Sequence, residues 1–343
     1  MARITYQEIA RHAGVSTATV SRVLAGRDFV RAELGERVRA SAAELGYRPN
    51  KAARALRTQR ADAVGLLISD VENPFFASVA RAVEAVAADR GYAVLLCNTA
   101  ERLEQEDLYL DLMIAESVAG VIIAPSTEDP ASLKKLVDTS TPTVTVDRRV
   151  SGDLFDSVSI DHRAGARALV DHLLDHGHRH IAAVVGTTTA TPTRERLAGC
   201  REALEGRSGV RLTVCEGKPQ DAIGVARTLD LGRRVVAELL DMDGDERPTA
   251  LFCGNNLLTE GVVRALRERD VRVPQDMALV GFDDLPLFDL LEPPLTVAAQ
   301  PIEQIGRTAA DLLFARIAEP GRALSRILAE PRLRIRRSCG SHP

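Results

Sequence analysis

The chain has 343 residues, 45% hydrophobic and 27% charged, with a formal charge of −4. This ordinary globular composition leaves room for two or three domains and excludes a collagenous, coiled-coil or wholly disordered chain. No run of about 18 uncharged apolar residues exists, and MARITYQEIARHAG is polar where a signal peptide is apolar, so the expectation is a cytoplasmic protein with no membrane partner.

In chain order, residues 1–48 read as short helices. Thr5-Tyr6-Gln7-Glu8 is a capping box, in which Thr5 accepts from the Glu8 amide and Glu8 reaches back. The helix it opens carries Ile9, Ala10 and Ala13 on one face and stops at Gly14, which can take a positive φ. Ser16 caps a second helix running to about Leu24, with Val20, Val23 and Leu24 inward. A third helix, roughly Ala32 to Leu45, closes at Gly46. Pro49 breaks the chain, and Asn50 can cap a brief segment, Lys51 to Arg57.

From Ala63 onward, β-branched or apolar runs alternate with amphipathic stretches. Strands are expected at 64–69, 93–97, 121–124, 143–146, 181–185, 250–253, 278–282 and 295–298, with helices at 77–90, 103–116, 164–176 and 260–269. Such alternation predicts parallel sheets covered by helices on both faces, and the length favours two α/β lobes over one. Residues 205–232 show no clear periodicity.

Charge and motif converge at the start of the chain. Residues 1–60 hold 12 Lys/Arg against 5 Asp/Glu, a net of +7, and the rest is −11. A basic head on an acidic body points to a polyanion-binding module. Ala10, Gly14 and Val20 supply the small crossing residue, turn glycine and apolar anchor of a helix-turn-helix. Its second helix presents Ser16, Thr17, Ala18, Ser21 and Arg22 outward, and Arg22 can grip guanine bidentately or hold a phosphate.

ITYQEIARHAGVSTATVSRVLAG, followed by RVRASAAELGYRPNKAARALR, resembles the lactose-repressor (LacI/GalR) family of bacterial transcription factors. RPTALFCGNNLLTEG, VPQDMALVGFDD and PPLTVAAQP extend the resemblance through nearly the whole chain. It implies a helix-turn-helix domain over 1–48, a hinge helix and linker over 49–61, and over 62–343 a two-lobed effector domain of the periplasmic-binding-protein (type I) fold. It further implies a homodimer on a near-palindromic operator in double-stranded DNA. Thr5, Tyr6, Tyr47, Asn50 and Ala53 join the outward residues above as DNA contacts, and Leu56 is the wedge that kinks a central minor-groove step. Ala18 and Ala25 stand where several relatives carry longer polar residues.

In open α/β sheets, ligands sit beyond the carboxyl ends of the strands. Asn73, Phe75, Phe76, Asp147, Arg148, Arg194, Arg196, Asn255, Asp283 and Gln300 all follow expected strands. Carboxylates and arginines pair with sugar hydroxyls, and aromatics cover the apolar ring face. The set other than Arg196 is similar to that of ribose-type binding proteins and ribose repressors, which implies a pentose effector; a hexose, nucleoside or phosphosugar stays open. Asn256 stands where many relatives have an acidic residue.

Two other classes fit parts of the pattern. One is a sugar-binding or sugar-modifying protein with a basic head. The other is a metal-sensing regulator built on His172, His176, His178 and His180, the first two a helical turn apart. Gly177 ends that helix, however, and the five cysteines (Cys97, Cys200, Cys215, Cys253 and Cys339) form no CxxC pair, so no metal site is expected. No GxGxxG, Walker A, GxSxG or HExxH motif is present, and neither catalysis nor a cofactor is expected.

Overall fold

A computed structural model of the chain describes residues 4–24, 31–47, 61–218 and 224–340. Contacts divide it into two units, residues 1–59 and 60–343.

The first unit contains α1 (Tyr6–Ala13), α2 (Thr17–Leu24) and α3 (Ala32–Glu44). Thr5 and Glu8 form the expected capping box, and Gly14 ends α1 at φ 62°. Ile9, Ala10, Ala13, Val20, Val23, Val38 and Ala42 bury against one another as a small core. Arg37 Nη2 donates to the Ala13 carbonyl at 2.6 Å, which holds α3 against the end of α1 and satisfies a helix-terminal acceptor.

The second unit is two six-stranded sheets, each wrapped by helices. The first holds β1 (Ala63–Ile68), β2 (Ala93–Asn98), β3 (Val121–Ile123), β4 (Thr143–Val146), β5 (Asp156–Ile160) and β11 (Arg326–Ala329), in the order β11-β5-β4-β3-β1-β2. The second holds β6 (His180–Val185), β7 (Arg211–Glu216), β8 (Ala250–Cys253), β9 (Ala278–Phe282), β10 (Thr296–Ala299) and β12 (Arg332–Arg334), in the order β12-β10-β9-β8-β6-β7. The two orders correspond position by position. All described pairings are parallel except β10 with β12. Central strands such as β1 and β8 are apolar nearly throughout because both faces are covered.

The helices α4 (Pro74–Asp89), α5 (Leu103–Ala115), α6 (Lys134–Asp138), α7 (His162–Asp175), α8 (Thr191–Leu204), α9 (Val225–Leu240), α10 (Asn256–Glu268), α11 (Pro286–Asp289) and α12 (Ile302–Ala318) fill the connections. The chain passes between lobes three times, near Asp161, Gln300 and Glu330, so α12 returns to pack on α4 in the first lobe. Close helix pairs depend on glycine. A Cβ at Gly199 of α8 would lie 2.2 Å from the Arg163 carbonyl oxygen, and one at Gly261 of α10 would lie 2.3 Å from that of Leu229.

Two regular elements occupy the stretch that lacked periodicity: β7 and the first turns of α9. β7 is an edge strand of mixed exposure, so it shows neither alternation nor a continuous apolar run. β11 and β12 are largely exposed edge strands and read as polar loop. α8 and α12 also escaped the sequence reading. Each buries an arginine, Arg196 and Arg316, on the face that periodicity would assign as apolar.

Candidate functional site

In the head, α2 begins where Ser16 Oγ accepts the Thr19 amide at 3.1 Å. Ser16, Thr17, Ala18 and Arg22 are exposed and Ser21 is half-buried, while Val20 and Val23 anchor the opposite face. The helix therefore offers short polar groups and one guanidinium to solvent. Thr5 is exposed just before α1, and the Tyr6 and Tyr47 rings pack with centroids 5.7 Å apart, bringing the first residue of α1 beside the chain that follows α3. The hydrogen bonds from Thr5 hold the Glu8 carboxyl below its ordinary range, so it stays ionised at the positive end of α1. Asn50, Ala53 and Leu56, with Ala25, lie outside the described residues.

In the body, a cleft of about 340 Å³ opens between the two lobes at the carboxyl ends of both sheets. Of the ten residues expected to bind an effector, Asn73, Phe75, Phe76, Asp147, Arg148, Arg196, Asn255, Asp283 and Gln300 line it. Asp147 and Asp283 follow β4 and β9, the third strands of their respective sheets, and have φ of 63° and 75°. Aspartate tolerates this left-handed backbone better than most residues. The two lobes thus use the same turn to aim a buried carboxylate into the cleft.

Each carboxylate is held differently. Gln300 Nε2 donates to Asp283 Oδ1, and the Asn256 amide donates to Asp283 Oδ2 at 3.2 Å. Burial pushes the Asp147 carboxyl up to about 6, against the opposing pull of Arg148 and Arg196. Beside it, His162 Nδ1 accepts from Arg196 Nε and Nη2 at 3.3 and 3.2 Å, which leaves the ring proton on Nε2, 3.7 Å from Asp147 Oδ1. Burial, reinforced by Arg196, holds His162 well below its ordinary range and therefore neutral. Arg196 also donates to the Gly254 carbonyl and stacks over Phe282, its guanidinium carbon 3.9 Å from the ring centroid.

Asn73 caps α4 by accepting the Phe75 amide at 3.0 Å, and from the other lobe Asn256 Nδ2 donates to the same oxygen at 3.0 Å. Phe75 and Phe76 meet edge to face at 4.9 Å and form an apolar wall. Arg148 donates to Glu101. Gln300 Oε1 and Arg148 Nε are buried without a hydrogen-bond partner. Unmet polar capacity of this kind, next to an aromatic wall, suits a hydroxyl-rich ring.

Arg194 sits elsewhere. It is exposed on α8 and donates to Glu128, which also receives the Thr191 hydroxyl, so this trio joins the lobes beside a separate depression. Arg194 and Arg196 are two apart on a helix and so point to different sides. Conversely, Asn98 and Glu101 line the cleft and Asn256 and His162 brace it, although none was among the expected site residues. The strand-end rule, applied to β2, points to Asn98 and Glu101; nothing local marks His162, whose role depends on the chain crossing between lobes.

Comparisons with known proteins agree with both halves. A family described as "Bacterial regulatory proteins, lacI family" matches residues 5–50, and one described as "Periplasmic binding protein-like domain" matches residues 170–339. The chain is 35% identical over 315 residues to a ribose operon repressor of Halalkalibacterium halodurans, covering 91% of this chain and 90% of that protein. Among solved structures it resembles the lac repressor dimer bound to operator and the anti-inducer ONPF (TM-score 0.83, 26% identity, 98% and 99% covered). It also resembles a periplasmic binding protein/LacI transcriptional regulator from Alkaliphilus metalliredigens QYMF complexed with D-xylulofuranose (TM-score 0.69, 26% identity, 81% and 99% covered). The chain belongs to the LacI family of bacterial regulatory proteins and is a ligand-responsive, DNA-binding transcriptional regulator.

Proposed function

We propose that the chain is a homodimeric repressor of pentose-metabolism genes whose hold on a near-palindromic operator is set by a ribose-like sugar in the interlobe cleft. The observation that carries the effector class is the pairing of two buried strand-end carboxylates, Asp147 and Asp283, with the Phe75–Phe76 wall and the unpartnered Gln300 Oε1 and Arg148 Nε. Two carboxylates and an arginine can pair a pentose's vicinal hydroxyls, while the aromatic wall takes its apolar face. The names of the relatives, a ribose operon repressor and a regulator complexed with D-xylulofuranose, support the same class. The role proposed for the cleft is binding without turnover.

Each head would read one half-site through Ser16, Thr17, Ala18, Ser21 and Arg22, with Thr5, Tyr6, Tyr47, Asn50 and Ala53 as further DNA contacts and Leu56 at the central step. The test is selection of random 30-base-pair duplexes by the purified protein with and without D-ribose. Enrichment of a palindrome that ribose weakens or strengthens supports the whole reading. A palindrome indifferent to ribose overturns the effector and keeps the regulator. For the wedge, Leu56→Ala is expected to weaken operator binding and reduce bending while sugar affinity stays unchanged.

A further inference from the structure

The four clustered histidines separate in the fold. His180 is taken up by Thr213 and Arg211, and His178 by the Thr249 hydroxyl at 3.0 Å. His172 and His176, at the end of α7, meet the side chain of a residue 163 positions beyond His176: Cys339, on the segment that follows β12, whose backbone the His178 ring also hydrogen-bonds. His172 Nε2 lies 2.9 Å from Cys339 Sγ, and one ligand atom from each of the three residues falls within 4.8 Å of the others.

Their protonation geometry suits ligation. His176 Nδ1 lies 2.7 Å from the His172 carbonyl oxygen. A carbonyl only accepts, so Nδ1 carries the proton and the lone pair of the neutral ring stands on Nε2. A backbone carbonyl fixing one ring nitrogen so that the other faces a metal is the usual support of a histidine ligand. At the sulfur, the Thr296 hydroxyl lies 3.3 Å away, and its oxygen already accepts the Arg336 amide at 2.9 Å. Its proton is therefore placed to donate to a thiolate.

We propose that His172, His176 and Cys339 form a site for a soft divalent cation, Zn2+, that clamps the segment after β12 onto α7. Two imidazoles and a thiolate are a zinc donor set, and three protein ligands leave a fourth position for water or another donor. Tetrahedral zinc, at bond lengths of ~2.0–2.3 Å, sets its ligand atoms about 3.4–3.6 Å apart. To reach that spacing, His172 Nε2 and Cys339 Sγ open from 2.9 Å while the exposed His176 ring moves in with its Nδ1 hydrogen bond to the His172 carbonyl kept. Binding releases the Cys339 thiol proton to solvent.

The experiment uses the full-length, tag-free protein, stripped with a chelator and titrated with Co2+ and then Zn2+. One equivalent of Co2+ per chain is expected to raise a near-ultraviolet thiolate-to-cobalt charge-transfer band that Zn2+ displaces, and Zn2+ is expected to raise the thermal midpoint. Cys339→Ser should abolish the band. Cys215→Ser, which removes the one half-buried cysteine, the other four being buried, should keep it. Because Cys339 is buried and its replacement can disturb the fold, His176→Gln on the surface is the decisive variant: it should weaken binding at least tenfold and remove the thermal shift. Absence of the band, its survival in Cys339→Ser, or unchanged affinity in His176→Gln overturns the proposal.

Discussion

Asp147 shows how much one residue's setting matters. As a strand-end aspartate it is an ordinary acceptor, but burial raises its carboxyl to about 6. In the free protein, this favours the protonated form: Asp147's contribution to stability is complete below the usual carboxylate range and is lost as pH rises through about 6. A sugar that needs the ionised acceptor behaves oppositely. Its affinity is expected to fall about tenfold from pH 7 to pH 5, measured by calorimetric titration with D-ribose. Asp147→Asn keeps the left-handed turn acceptable and should flatten that profile. Asp283→Asn likewise preserves the turn and the Gln300 contact. It removes a charged acceptor, whose hydrogen bond is worth about 1.5–3 kcal/mol, so D-ribose affinity should drop at least tenfold while sugar-free operator binding is retained. Undiminished ribose binding in that variant would misplace the pocket.

At the scale of elements, the packed helix pairs decide stability. Gly261 faces the Leu229 carbonyl, and Gly232 on the partner helix faces that of Leu258, so α9 and α10 approach backbone to backbone. Alanine at 261 would gain about 1 kcal/mol of helix propensity. The inserted methyl would force the pair apart at a cost of about 1–3 kcal/mol. A net loss is expected, read as a lower urea midpoint for Gly261→Ala, and a higher midpoint would show that the pair can part without penalty. In the first lobe, the Arg316 guanidinium grips buried Asp156 through Nε and Nη2 at 2.9 and 3.1 Å, and Asp156 also accepts the Ser325 amide at 2.7 Å. That contact steers the chain from α12 into β11, which explains how an exposed edge strand finds its place with little apolar surface of its own.

Across the whole molecule, function depends on how the lobes of the body meet. Asn73 with Asn256 bridges them inside the cleft, and Glu128 with Thr191 and Arg194 bridges them outside it. The outer ion pair is partly exposed, and such pairs are worth about 0–1 kcal/mol. Arg194→Ala is therefore expected to weaken D-ribose binding only a few-fold, well short of Asp283→Asn, by loosening closure. Loss as large as that of Asp283→Asn would place Arg194 on the sugar itself. Coupling between sugar and operator must also be reciprocal. The factor by which saturating ribose changes operator affinity should equal the factor by which operator changes ribose affinity, and unequal factors would exclude a single two-state equilibrium.

The amino-acid sequence by itself pointed to the three-helix head, the alternation that makes two α/β lobes, and nine residues that line the cleft, out of ten expected there. Those features are local: a capping box, a turn glycine, central strands apolar on both faces, and the rule that ligands gather at strand ends. Tertiary structure alone decided the rest. Arg194 and Arg196 differ by two positions, and only the packing of α8 sends one to Glu128 and the other to the cleft. His162 becomes a neutral brace because the chain crosses between lobes beside it, and His172 meets Cys339 across 167 positions. Edge strands such as β7, β11 and β12 have one neighbour and much exposure, so their sequences carry little hydrophobic signal, and their place comes from the strands and arginines that receive them.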